Sequence, residues 1–141
     1  MEPDDPTSIR VLAVTADDVV TALEANQRRD AAAVLRITPP FSGRMRARLH
    51  LDGAEHGYDD PRPIHVPPER LVGSFPSFPA PDDTADVLRS DPEATYSAET
   101  HRRRHESAVE EWRRQVRASI LETATLPTAV GPHRVRVATL G

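Results

Sequence analysis

The sequence predicts an α+β domain in the split β-α-β order called ferredoxin-like: strand, helix, strand, strand, insertion, helix, strand. Three observations carry this expectation. Residues 9–14 and 133–140 are β-rich or alternate apolar with polar, residues 16–30 and 98–124 repeat apolar side chains at three-to-four spacing, and residues 44–51 alternate strictly between basic and apolar. Two helices would then cover one face of a sheet and leave the other face open.

Each element has a local reason. Residues 1–8 read as an acidic N-terminal tail and 9–141 as a single α+β domain. After the run Ile9-Arg-Val-Leu-Ala-Val14, Thr15 is a helix N-cap, with Asp17 and Asp18 at the positive end of the helix macrodipole. Val19, Val20 and Leu23 form that helix's apolar stripe, and Gln27-Arg-Arg-Asp30 closes it. Residues 31–38 read as a strand that Pro39 and Pro40 stop, because neither proline can donate to a ladder. Residues 44–51 follow at hairpin distance and are expected to pair antiparallel with it. Residues 52–60 are a polar loop containing glycine, residues 62–66 an edge strand limited by Pro61 and Pro63, and residues 67–72 one helical turn.

Eight of the 14 prolines lie between Pro61 and Pro92, and 73–97 shows no periodicity, so it is expected to be an extended arm. Within it, Phe75-Pro-Ser-Phe-Pro-Ala-Pro81 sets two aromatics in a stiff chain. Phe75 and Phe78 are therefore candidates either for packing on their own domain or for docking a partner, including a second copy of the chain. The long helix beginning at Ala98 carries Val109, Trp112, Val116 and Ile120 or Leu121 on one face. The last strand turns Val135 and Val137 inward and Arg134 and Arg136 outward.

Composition excludes several chemistries. Without Cys there is no disulfide scaffold, zinc ribbon, iron-sulfur cluster or thiol nucleophile. The acidic start and the short apolar runs fit neither a signal peptide nor a membrane span, so the expected setting is cytoplasmic, with no membrane partner. All 18 basic residues are Arg, against 22 carboxylates, which fits a GC-rich genome or a salt-loaded cytoplasm. The stretches Val14-Thr-Ala-Asp-Asp-Val-Val20 and Thr38-Pro-Pro-Phe-Ser-Gly-Arg-Met-Arg46 resemble small uncharacterised haloarchaeal proteins, a resemblance that implies no activity.

The most informative candidate site is the alternating strand, which puts Arg44, Arg46, Arg48 and His50 on one face and Met45, Ala47, Leu49 and Leu51 on the other. Arg36, Arg134 and Arg136 would join the basic face. A guanidinium is a planar donor fork that matches phosphate oxygens, so such a face suits an anionic partner, nucleic acid or a ribonucleoprotein first. The strands lack the aromatics that stack bases in RNA-recognition motifs, so binding would follow the backbone with little sequence preference. The competing expectation is a solvated face neutralised by Asp52, Glu55, Asp59 and Asp60 in the next loop. His101 and His105 stand one turn apart, but three arginines separate them and no third ligand follows, so no metal or other cofactor is expected. No catalytic residue is expected either: Asp17 and Asp18 read as a helix start, and no nucleophile motif surrounds Ser42. The expected function is a non-enzymatic binding module; the alternative is an assembly protein that uses the Pro-Phe arm and the long helix.

Overall fold

In the computed structural model, which describes residues 4–51 and 62–141, the chain is α+β with two sheets and three α-helices. Strand β1 (Val11–Thr15) runs into helix α1 (Ala16–Arg29), and Thr15 caps the helix as expected, its hydroxyl accepting from the Asp18 amide at 3.1 Å. Strands β2 (Ala33–Ile37), β3 (Arg44–Arg46), β4 (Arg48–Leu51) and β5 (Ile64–Val66) follow, and a 3-10 turn spans Pro68–Leu71. Helices α2 (Pro81–Ser90) and α3 (Ala98–Ala118) precede the closing hairpin of β6 (Thr123–Thr128) and β7 (Gly131–Leu140). The polar loop expected at 52–60, and Pro61 after it, lie outside the described residues.

The single split β-α-β sheet of the sequence reading is replaced by two sheets, ordered β3-β1-β7-β6 and β4-β2-β5. Central β1 is flanked by parallel neighbours, Val11 aligning with Arg44 on one side and Arg136 on the other. β2 instead pairs antiparallel with β4 and β5. The expected antiparallel pairing of residues 44–51 therefore holds only for the second half of that strand. Its first half lies parallel to β1, and the change occurs at Ala47, which is fully buried and whose amide donates to the Ala13 carbonyl at 2.9 Å. Only a small side chain fits where one stretch of backbone serves two sheets. At the far end β5 lies against β6, so the two sheets meet at both ends.

The core lies between the sheets and α1. Leu12, Val14, Val19, Leu23, Leu35, Ile37, Val66, Leu71 and Leu126 are almost wholly withdrawn from water, and Trp112 and Val116 enter the same cluster from α3. Three further expectations are corrected. The arm expected over residues 73–97 contains α2, a helix with Pro81 at its first turn, Asp82 and Asp83 near its N-terminus and Thr84, Ala85 and Leu88 buried. The long helix stops at Ala118 instead of continuing to 124, because Thr123-Ala-Thr-Leu126 alternates and turns Ala124 and Leu126 inward as part of β6. The N-terminal tail is also shorter than expected, since Pro6–Ser8 forms a 3-10 turn with Pro6 and Ser8 buried.

The turn from α1 to β2 depends on one side chain. Asn26 donates through Nδ2 to the Ala33 carbonyl at 2.9 Å and accepts from the Ala33 amide at 2.6 Å, satisfying both backbone groups at the start of the strand. Between them Asp30 and Ala32 hold left-handed φ values of 50° and 53°. Asn26→Ala is expected to lower unfolding free energy by about 2 kcal/mol, the sum of two part-buried hydrogen bonds. Urea denaturation checks this, and a midpoint equal to that of the unmutated protein would contradict the bridging role.

Candidate functional site

Ladder partners project to the same side of a sheet, so register decides which basic residues share a face. On the first sheet, Val11 aligns with Arg44 and Arg136, and Arg136 aligns with Thr123. Arg44, Val11, Arg136 and Thr123 thus form one row across all four strands, on the side opposite buried Leu12 and Val135. Two residues further on, Arg46 lies beside Ala13 and Ala138, whose methyl groups leave room for its stem. Two residues in the other direction along β7, Arg134 lies beside Thr125 and donates through Nη2 to the Thr123 hydroxyl at 2.8 Å. Arg44, Arg134 and Arg136 are exposed. Arg46 is half-buried, and its Nε is shielded from water with no hydrogen-bond partner among the described residues.

The second sheet carries the rest. Arg36 aligns with Arg48 on β4 and His65 on β5, and the His50 and His65 rings meet over β2 with centroids 5.5 Å apart. The seven basic residues picked from sequence therefore do not form one open patch. They divide into Arg44, Arg46, Arg134 and Arg136 on the first sheet and Arg36, Arg48 and His50 on the second, joined through the 44–51 strand. Asp52, Glu55, Asp59 and Asp60, the carboxylates expected to neutralise this face, lie outside the described residues.

A family model described as a domain of unknown function, DUF8009, matches residues 1–141. The chain belongs to the DUF8009 family. No curated protein and no solved structure matches it.

On its helical side this DUF8009 chain treats arginine differently. A groove of about 470 Å³ between α1 and α3 is lined by Asp17, Glu24, Arg28, Arg29, Glu110, Arg113 and Arg117, and among the described residues all of these charges but Arg29 pair with one another. Arg113 donates to Glu24 through Nε at 2.7 Å and Nη2 at 3.1 Å and also reaches Glu110; Arg28 adds a third bond to Glu24 at 3.1 Å, and Arg117 reaches Asp17 at 2.6 Å. The guanidinium of Arg113 holds the Glu24 carboxyl below its usual range, and the Glu24 carboxylate in turn raises Arg113 well above the ordinary arginine value. Arg89, Arg104 and Arg114 likewise reach Asp86, Asp91 and Glu111. Among the described residues no carboxylate pairs with Arg44, Arg46, Arg134 or Arg136.

The remaining candidates have structural partners. Phe75 and Phe78 lie edge-on to Trp112, with centroids 6.5 Å and 5.0 Å away, and the Trp112 indole N–H donates to the Pro76 carbonyl at 2.8 Å. His101 and His105 stack at 5.9 Å; Nε2 of His101 bonds the Pro81 carbonyl at 2.8 Å and Nδ1 of His105 meets the Thr84 hydroxyl at 2.9 Å, so both imidazoles fasten α2 to α3. Among the described residues, no group of three His, Asp or Glu is placed to hold a metal ion, and no helix is long and apolar enough to cross a membrane. The basic run at 102–104 lies near the start of α3, roughly 20 Å along its axis from Ala118 at 1.5 Å per residue. Sequence reading missed Arg70, Thr123 and Thr125, which border the arginines of β7. The alternation of Thr123-Ala-Thr-Leu126 was the available signal.

Proposed function

We propose that this chain is a non-enzymatic binding module that holds the phosphate backbone of a nucleic acid, free or within a ribonucleoprotein, against the open face of its first sheet. The observation that carries this is the contrast in pairing: Arg28, Arg113 and Arg117 of the helix groove are held in ion pairs, whereas Arg44, Arg134 and Arg136 are exposed and, like half-buried Arg46, meet no carboxylate among the described residues. Arg44 and Arg136 flank Val11 two strands apart, about 10 Å at the usual interstrand spacing, so two forks can grip successive phosphates. Among the described residues, Phe75 and Phe78 pack on Trp112, and the first-sheet strands carry no Phe, Tyr or Trp. The contact is therefore to backbone.

The module is intracellular, and the all-arginine, acidic composition points to a salt-rich cytoplasm of haloarchaeal type. At 1 M salt the Debye length is about 3 Å, so long-range attraction contributes little and close bidentate geometry sets the affinity. In an assembly role Phe75 and Phe78 would offer the ring surface left half-exposed beside Trp112.

Replacing Arg44, Arg46 and Arg136 together with Ser is expected to abolish the polarisation shift of fluorescent single-stranded RNA or DNA at low salt. The salt dependence of the unmutated protein should be steep, with a slope that falls by roughly 0.7 for each phosphate contact removed from a single strand. Absence of any shift with the unmutated protein would overturn the proposal.

A further inference from the structure

We infer that the depression where the Pro68–Leu71 turn meets β6 reads a guanine base of the bound strand. This rests on the nucleic-acid reading above and adds a base preference that the flat arginine row does not supply. The depression, about 370 Å³, is lined by Arg70, Leu121, Glu122, Thr123, Thr125 and Arg134. That is near the lower end of the range for small-molecule sites. It opens at the end of the arginine row, because Thr123 aligns with Arg136, which aligns with Val11 beside Arg44.

Two features distinguish it from solvated surface. Its frame is fixed by backbone bonds: the Leu121 amide donates to the Leu71 carbonyl at 2.9 Å and the Gly73 amide to the Ser119 carbonyl at 2.8 Å, with Val72 bridging Ile120. Its charges are also not spent on each other. Two guanidiniums and a carboxylate border one hollow, yet among the described residues neither Arg70 nor Arg134 forms an ion pair with Glu122. Arg134 uses one N–H on Thr123 and keeps the others.

A ligand suited to such walls presents two acceptors to a donor fork and two donors to a carboxylate. Guanine does this on adjacent edges: O6 and N7 accept from arginine, and N1–H with the N2 amino group donates to a carboxylate. Adenine pairs a donor with its N7 acceptor and cannot satisfy an arginine fork; uracil has no two-donor edge. Leu121, 39% exposed, supplies an apolar surface for one face of the base. In this assignment Arg70 or Arg134 takes the O6/N7 edge and Glu122 the N1/N2 edge, while Arg44 and Arg136 hold the neighbouring phosphates.

The test is polarisation binding of labelled oligouridine, oligouridine with one central guanine, and the same strand with inosine, which lacks the N2 amino group. The guanine strand is expected to bind about ten-fold more tightly than oligouridine, the gain typical of a bidentate base contact, with the inosine strand between them. Glu122→Gln should remove most of the guanine preference, read as the ratio of guanine-strand to oligouridine affinity in the same variant. Equal affinity for all three strands, or a guanine preference unchanged in Glu122→Gln, overturns the base-reading site while the backbone-binding function stands. Failure of every strand to bind overturns both.

Discussion

Trp112→Ala is expected to be the most damaging single substitution, lowering unfolding free energy by about 3–5 kcal/mol. Against a total of about 5–15 kcal/mol for a domain of this kind, that is enough to leave a large unfolded fraction. The side chain is 2% exposed and links three parts of the molecule: the α3 stripe with Val109 and Val116, the core shared with the sheets, and the segment carrying Phe75 and Phe78. Removing the indole leaves a cavity, takes the edge-on partner from two phenyl rings and strands the Pro76 carbonyl that its N–H satisfies at 2.8 Å. As the chain's one tryptophan, it also reports unfolding of the unmutated protein through its own emission. The ring-proton NMR shifts of Phe75 and Phe78 supply the second measurement, since the indole's ring current should displace them in the native protein and not in the variant. Shifts unchanged by the substitution would show that the rings do not depend on Trp112.

The second large effect is expected at Glu24, where one carboxylate receives two bonds from Arg113 and one from Arg28. Glu24→Gln should cost about 2–3 kcal/mol at neutral pH, because charge-assisted bonds are worth roughly 1.5–3 kcal/mol each, the amide retains some bonding, and the Arg113 charge is left half-compensated. The pH dependence follows from the direction of the shift. Glu24 is held below its ordinary value of 4.5 in the folded protein, so the unfolded chain takes up the proton first on acidification. Its stabilising contribution is therefore fully present above the unfolded value and is lost as pH falls through the folded one. Urea midpoints measured from pH 7 downward should fall less steeply below pH 4.5 in Glu24→Gln than in the unmutated protein. Parallel curves would show that the pairing with Arg113 does not persist in solution.

Local chemistry made most elements legible. Thr15 with Asp17 and Asp18 fixes the start of α1, Pro39 and Pro40 bound β2, and the stripe of Val109, Trp112 and Val116 is buried on α3 as its spacing requires. Strand pairing was not legible, because alternation tells which side chains share a face and not which strand lies alongside. Arg44-Met-Arg-Ala-Arg-Leu-His-Leu51 alternates throughout, yet its two halves lie in different sheets, and this separates the predicted arginines into two groups. α2 was hidden by proline density, although Pro81 occupies a first-turn position where the missing N–H costs nothing. β6 was absorbed into the preceding helix because Thr, Ala and Leu suit either period over so short a run. Of the site, the outward direction of Arg44, Arg134 and Arg136 was readable from period two, whereas the partial burial of Arg46 was not. The joining of Arg44 to Arg136 through Val11 required the register.

That register has a consequence for how the chain matures. β1 sits between strands distant in sequence, and its pairing of Val11 with Arg136 spans nearly the whole chain. As the polypeptide leaves the ribosome, the first sheet cannot close until residues 131–140 have emerged, because β7 lies between β1 and β6. Until then one flank of β1 offers unpaired backbone groups, the kind of open edge that recruits other chains. High contact order makes the closing step slow relative to the formation of α1 and α3. A nascent chain arrested before residue 131 should therefore occupy chaperones, and the completed chain should release them in one cooperative event.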